Sequence, residues 1–89
     1  MVYVVIRDDA VTKYGSGYSY DVSEKKVIGV ASSIDRAMSL IAGQGHNEKD
    51  VLNIQDFQVT DTSKLVRQVY VMPGKGKRHW FMVEEHELA

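Results

Sequence analysis

The chain has 89 residues, of which 44% are hydrophobic and 26% charged, a composition typical of one globular domain and unlike that of a disordered segment. We therefore expect a single domain over residues 1–89. Its net charge of −1 says nothing about an acidic partner, and the absence of cysteine excludes disulfides, thiolate chemistry and cysteine zinc sites. A small domain without disulfides favours a cytoplasmic location. No apolar run approaches the roughly 20 residues of a membrane helix.

Two β-rich runs frame the N-terminal part of the chain. The run "VYVVIR" at 2–7 predicts a first strand, and "KKVIGVA" at 25–31 predicts a second, in which Gly29 marks a bulge or a close backbone approach. The segment between them is long for a hairpin loop, and a Gly-Ser-Gly step at 15–17 marks its turn. We expect a hairpin with a long, tyrosine-rich tip.

A helix is predicted next. Ser32 and Asp35 resemble a capping box with aspartate in place of glutamate. Apolar residues then recur at helical spacing over about ten residues; they are Ile34, Ala37, Met38 and Ile41. Gly43 and Gly45 would supply left-handed positions where the helix ends. The stretch "HNEKDVLNI" at 46–54 predicts a further turn of helix.

The last third of the chain predicts three strands joined as a meander, at 56–60, 65–72 and 78–88. The predicted fold is α+β, an antiparallel sheet in β-β-α-β-β-β order with one main helix packed on one face. Apolar side chains on the face away from the helix would need a cover, which predicts a homodimer or higher oligomer. The residues assigned to that face are Tyr3, Val5, Val69, Val71, Phe81 and Val83.

The stretches "VYVV", "KVIGVASSIDRAMSLI" and "DFQV" together resemble a pattern found in small, uncharacterised bacterial and phage proteins. These proteins have an N-terminal β-hairpin, a helix that opens at a Ser-Ser step, and a closing pair of strands. The resemblance covers about half of the chain and involves residues that make the fold. It implies a topology and a bacterial or phage origin, and it carries over no functional residue.

The turn "PGKGKRHW" is the first candidate binding surface. Its glycines would let backbone N–H groups approach a phosphate together with Lys75, Lys77 and Arg78, while His79 or Trp80 offers a surface for a base to stack on. The pattern is not a P-loop, because it lacks the Gly-Lys-Ser/Thr step. The alternative is that a Pro-Gly turn carrying lysines is only a soluble loop.

The tyrosines near the hairpin tip are the second candidate surface. Tyr14, Tyr18 and Tyr20 stand among glycine and serine, a composition suited to a recognition loop because tyrosine offers a large amphipathic contact area with few rotatable bonds. The alternative is that alternate tyrosines pack on each other across the strands of a twisted hairpin. Neither interpretation points to catalysis.

No catalytic, cofactor or metal motif accompanies these surfaces. Ser32 and Ser33 are explained as helix caps, and the three histidines lack the spacing of a metal site. We therefore expect a non-enzymatic protein without a cofactor that recognises a protein partner, and the resemblance suggests a phage-encoded modulator or inhibitor of a host (defence) factor. A nucleotide-binding or nucleotide-sequestering protein is the alternative, a nucleic-acid binder the third, and an enzyme the last. No membrane partner is expected.

Overall fold

The computed structural model describes residues 1–44, 51–72 and 79–87. The elements are β1 (Val2–Gly15), β2 (Tyr18–Ala31), α1 (Ile34–Ala42), β3 (Val51–Asp56), β4 (Leu65–Met72) and β5 (His79–His86). The strands form one antiparallel sheet in the order β2-β1-β5-β4-β3, and α1 packs against β1, β2 and β5. The predicted α+β class, one antiparallel sheet with a helix, is confirmed. No helix within the described ranges is long and apolar enough to cross a membrane.

The first two strands are longer than predicted. β1 pairs with β2 from Tyr3↔Ala31 to Gly15↔Tyr18, so the expected long loop is itself a pair of strands closed by a two-residue turn at 16–17. Gly17 has a φ of 78°, a conformation that glycine adopts without steric cost. Among the described residues, the β1–β5 pairing reaches Asp9↔His79, and residues 10–23 pair only with one another. We call this two-stranded segment the ribbon.

The helix begins one residue later than the capping box suggests. Ser33 is the N-cap, and its side-chain oxygen accepts a hydrogen bond from the Arg36 backbone N–H at 3.1 Å. The predicted cap at Ser32 was wrong by one position. The helix ends at Gly43, whose φ of −71° is right-handed, so the predicted left-handed exit at Gly43 was also wrong, while Gly45 lies outside the described residues.

Helix and sheet enclose one hydrophobic core. Its buried residues are Val5, Ala31, Ala37, Ile41, Val66, Val69, Val71, Phe81 and Val83. The helix approaches β2 closely at Gly29, where a β-carbon would lie 2.9 Å from Leu40 Cδ1. The pairing of β1 with β2 shifts register between Val5 and Ile6, opposite this glycine. The expected bulge at Gly29 is therefore confirmed, whereas the close contact there is with the end of the Leu40 side chain and not with a backbone.

The third strand lies elsewhere than predicted. β3 covers Val51–Asp56, whereas 57–60 forms the connection towards β4. The predicted second helix at 46–54 is wrong over its last four residues, which belong to this strand; the rest lies outside the described residues. Arg67 of β4 binds the Asp56 carboxylate at 2.6 Å, and these hydrogen bonds lower the pKa of Asp56.

The two faces of the sheet are the reverse of the prediction. Val5, Val69, Val71, Phe81 and Val83 were assigned to the uncovered face, but all five are buried in the core on the helix side. Tyr3 packs against the same core. The sequence did not resolve this because both faces of β1 are apolar, so either set of alternate residues fits the helix side.

Candidate functional site

The face of the sheet opposite α1 carries a row of apolar side chains. We call it the open face. In register, Val4 lies opposite Val30 and Ile6 lies opposite both Val27 and Met82. Val27 and Val30 are 59% and 58% exposed, far above what a core valine shows. An apolar surface of this kind is typical of a binding site.

An aromatic pair lies on the open face beside these residues. Tyr70 of β4 and Trp80 of β5 are cross-strand partners, with ring centroids 4.2 Å apart and ring planes inclined by 40°. Trp80 is nevertheless 42% exposed. The tyrosine ring fixes the indole from one side while the rest of the indole faces solvent, which is how an aromatic anchor is held before binding.

The ionic groups of the open face are predominantly acidic. Asp8 of β1 is the cross-strand partner of Trp80, and Glu84 of β5 is the cross-strand partner of Val4. Lys25, opposite Asp8, is the one lysine or arginine among the described strand residues of this face. His86 lies beside Glu84, with Nε2 3.1 Å from Oε1. The described ionic groups of this face are therefore a poor match for a phosphate backbone.

The ribbon separates the three predicted tyrosines. Tyr14 is on the open-face side and is 84% exposed, whereas Tyr18 and Tyr20 are on the helix side, with ring centroids 5.8 Å apart. Tyr18 and Tyr20 contact each other along one strand, so this pair is not the cross-strand packing of the alternative. All three remain exposed, so the interpretation as a recognition surface stays a prediction.

A polar cluster lies on the helix side where the ribbon leaves the sheet. Arg7 Nε donates to both Asp9 carboxylate oxygens at 3.0 Å, and its Nη1 donates to Gln44 Oε1 at 3.3 Å. Its guanidinium also lies 5.9 Å from the centroid of the Phe81 ring. His79 Nδ1 is 2.9 Å from Asp9 Oδ1 and 3.1 Å from Arg7 Nη2. We call these residues the ribbon-base cluster.

The charge on Asp9 is stabilised within this cluster. Burial would raise the pKa of Asp9, but the hydrogen bonds from His79 and Arg7, with the positive charge of Arg7, outweigh it and hold the pKa below its ordinary value. His79 Nδ1 can either donate to Asp9 or accept from Arg7, depending on its tautomer. Arg7 is engaged on all three nitrogens, so the cluster links β1 to β5 and to the end of α1 at the base of the ribbon.

The residues predicted for the basic turn do not form one surface as far as they are described. His79 and Trp80 are consecutive on β5 and lie on opposite faces, so a single base cannot stack on both. Lys75, Lys77 and Arg78 lie outside the described residues. Their predicted contact with a phosphate stays a prediction.

The sequence analysis missed Tyr70, Ile6 and Met82 as surface residues. The alternation of side chains along a strand was the available signal. Once β4 and β5 are paired, it places Tyr70 and Met82 on the same face as Trp80. That signal was not usable before the register was known, since a shift of one residue exchanges the two faces.

Groups that bind metals are sparse in the described segments, where no three His, Cys, Asp or Glu side chains lie close enough to hold an ion. No protein-family model, curated protein or solved structure matches the chain.

Proposed function

We propose that this chain is a non-enzymatic binding protein that recognises a protein partner through the open face and the adjoining ribbon. The observation that carries the proposal is the Tyr70–Trp80 pair with its exposed indole, on the same face of the sheet as exposed Val27 and Val30. Tryptophan and tyrosine dominate the energetics of protein interfaces, because they bury a large area with few rotatable bonds.

The charge of the open face supports a protein partner over a nucleic acid. Asp8 is the cross-strand neighbour of Trp80, and Glu84 lies on the same face further along β5. Carboxylates repel phosphates, whereas the rim of a protein interface accommodates both signs. The alternative of nucleotide binding depends on Lys75, Lys77 and Arg78. Among described cations, Arg7 is already held by Asp9 and Gln44, so it is poorly placed to bind a phosphate.

The resemblance to small bacterial and phage proteins makes a bacterial host factor the first class of partner to test. A phage-encoded modulator would act by occupying a surface of that factor, which requires no catalytic group of its own. A binder of 89 residues has room for an interface of the standard size, about 800 Å² on each partner.

The test is a comparative capture from bacterial lysate with quantitative mass spectrometry. The open-face variant combines Val30→Asp with Trp80→Ala, and the matched control combines Ile54→Asp with Leu52→Ala on the helix-side face, where both residues are also exposed. All three proteins are first checked for equal thermal unfolding. A partner should be retained by the parent and the control and depleted at least about tenfold by the open-face variant, equivalent to roughly 1.4 kcal/mol.

Equal recovery with the open-face variant would contradict the proposal. The nucleotide alternative has its own arm, in which the purified protein is denatured and the supernatant is examined for a released ultraviolet-absorbing small molecule. Release of a nucleotide by the parent, and not by a Lys75→Glu, Arg78→Glu double variant, would assign the function to the basic turn instead.

A further inference from the structure

A small pocket lies on the open face beside Trp80. Its volume is about 240 Å³, and it is lined by Asn53 and Gln55 of β3, Gln68 of β4 and Trp80 of β5. Three side-chain amides and an indole therefore surround it, and none of these four groups is charged. A pocket of this composition fits a ligand that offers hydrogen-bond acceptors and a flat apolar surface.

The strand register arranges these side chains in two parallel rows. Asn53, Tyr70 and Trp80 are successive cross-strand partners and form one row, and Gln55, Gln68 and Met82 form the next. Each row crosses the sheet from β3 to β5. A chain segment that binds between the two rows would run across the strands.

The distance between the two ends of one row matches the repeat of one backbone conformation. Trp80 and Asn53 lie two strands apart, which is about 9.6 Å at the usual separation between neighbouring strands. A polyproline II helix repeats every three residues, or about 9.3 Å. Equivalent residues of such a helix would therefore meet β5 and β3 in turn.

The chemistry of the lining matches the same conformation. A polyproline II segment makes no internal hydrogen bonds, so its carbonyl oxygens are free to accept them. The amides of Gln55 and Gln68 and the indole of Trp80 carry N–H donors. A prolyl ring packs on an aromatic face and brings no charge, which suits a pocket beside the acidic Asp8.

We propose that this pocket binds an uncharged, proline-rich segment of the partner protein in the polyproline II conformation. The segment crosses β5, β4 and β3, with a prolyl ring on the exposed surface of Trp80 and backbone carbonyls accepting from Gln55 and Gln68. Tyr70 is a positioning residue, since its ring fixes the indole at 4.2 Å. The inference rests on the proposed function and specifies the chemistry that the partner presents.

The experiment uses the fluorescence of Trp80, the only tryptophan in the chain. The full-length protein is titrated with an end-blocked oligoproline peptide, and with a glycine–serine peptide of equal length. Oligoproline should shift the emission saturably, with a Kd between about 1 µM and 1 mM, and the control peptide should not. Gln68→Ala should weaken binding by about three- to tenfold through the loss of a hydrogen bond. Gln58→Ala, the same change at an exposed residue in the 57–64 connection, should leave the Kd unchanged.

Three results would overturn the proposal. The first is an emission that oligoproline does not change. The second is a saturable shift caused by a neutral oligosaccharide or a nucleoside in place of oligoproline. The third is a concentration-dependent dimer in sedimentation that dissociates on Val30→Lys, which would assign the open face to a second copy of the chain.

The two proposals fail separately. If oligoproline causes no shift while the capture from lysate still depends on Val30 and Trp80, the polyproline inference fails and the binding function stands. If oligoproline binds while no captured protein depends on the open face, the proposed recognition of a protein partner through this face fails. The proposal that the pocket binds a polyproline II segment then still stands.

Discussion

Asp9 and His79 face each other across the β1–β5 pair, with Oδ1 2.9 Å from Nδ1. The contact lies at the last described register position of these two strands, next to the start of the ribbon. Together with Arg7 it ties β1 to β5 at the base of the ribbon. The stability of this junction should therefore depend on the ionisation of Asp9.

Asp9→Asn should lower the free energy of unfolding at neutral pH by about 0.2 to 1 kcal/mol, the range for exposed ion pairs, because the Asp9 side chain is 38% exposed and solvent screens its interactions. The lowered pKa of Asp9 in the folded state means that its stabilisation is complete above the unfolded value of about 3.9 and is lost as the pH falls through the folded value.

Urea unfolding between neutral pH and about pH 2.5 measures both effects. The parent should lose more stability than Asp9→Asn as the pH drops below about 4. Asp61→Asn, a change in the exposed connection between β3 and β4, should follow the parent at neutral pH. An identical acid dependence in the parent and Asp9→Asn would contradict the assigned role of Asp9.

The helix cap distinguishes two adjacent serines. Ser33→Ala removes the oxygen that accepts from the Arg36 backbone N–H and should destabilise the protein by about 0.5 to 2 kcal/mol. Ser32→Ala should change stability by less than about 0.5 kcal/mol, because Ser32 is exposed and precedes the cap. Thermal unfolding of the two variants compares them directly; a larger loss at Ser32 would favour the cap predicted from the sequence.

Two glycines should respond in opposite directions to an added side chain. Gly29→Val places new atoms where Leu40 Cδ1 lies 2.9 Å from a β-carbon, so it should destabilise by about 1 to 3 kcal/mol. At Gly43, φ is −71° and a β-carbon would meet only ordinary contacts, so Gly43→Ala should stabilise by about 0.4 to 1 kcal/mol. Chemical denaturation measures the change in the free energy of unfolding for both variants. A destabilised Gly43→Ala would contradict the right-handed conformation at the end of the helix.

The turn of the ribbon should unfold locally when Gly17 is replaced. Gly17→Ala forces a left-handed conformation with φ 78° on a residue with a β-carbon, at a cost of about 1 to 2 kcal/mol. Because two strands alone are marginally stable, amide exchange should accelerate roughly fivefold or more within 10–23 while global unfolding changes little. Ser16→Ala is the control. Equal exchange in all three proteins would mean that the ribbon does not depend on this turn.

Partner binding should distinguish Tyr14 from Tyr18. Tyr14 shares the side of the open face, whereas Tyr18 lies on the other side of the ribbon. If the interface continues from Trp80 onto the ribbon, Tyr14→Ala should weaken capture of the partner by more than about tenfold, since interface tyrosines often contribute above 1.4 kcal/mol. Tyr18→Ala should have a smaller effect. The reverse order would place the partner on the helix side of the ribbon.

The sequence was sufficient where its pattern had one interpretation. β4 was predicted at 65–72 and is found at Leu65–Met72, because its β-branched run is followed in the sequence by a Pro-Gly step. The helix was also located, since Ala37 and Ile41 fall on its buried side as the spacing predicted. These segments have a single apolar face or clear boundaries.

Other elements depend on contacts distant in the sequence. The ribbon contains strand-favouring valine, threonine and tyrosine, but both of its faces are largely exposed, so no alternation of apolar and polar residues marks its strands. "VLNI" at 51–54 carries three apolar residues in four and fits a buried helix as well as a strand. The position of Tyr70 beside Trp80 required the register of β4 and β5, which no local pattern fixes.

The central position of β5 beside β1 also determines the order in which the chain can fold. Asp9 and His79 are 70 residues apart in sequence, so the inner edge of β1 lacks its β5 partner until β5 leaves the ribosome. The nascent hairpin must persist until then with an open hydrogen-bonding edge, the condition under which intermediates associate with one another. Refolding should accordingly be slow for a domain of this size, as expected for high contact order, and a chaperone that shields β1 should raise the yield.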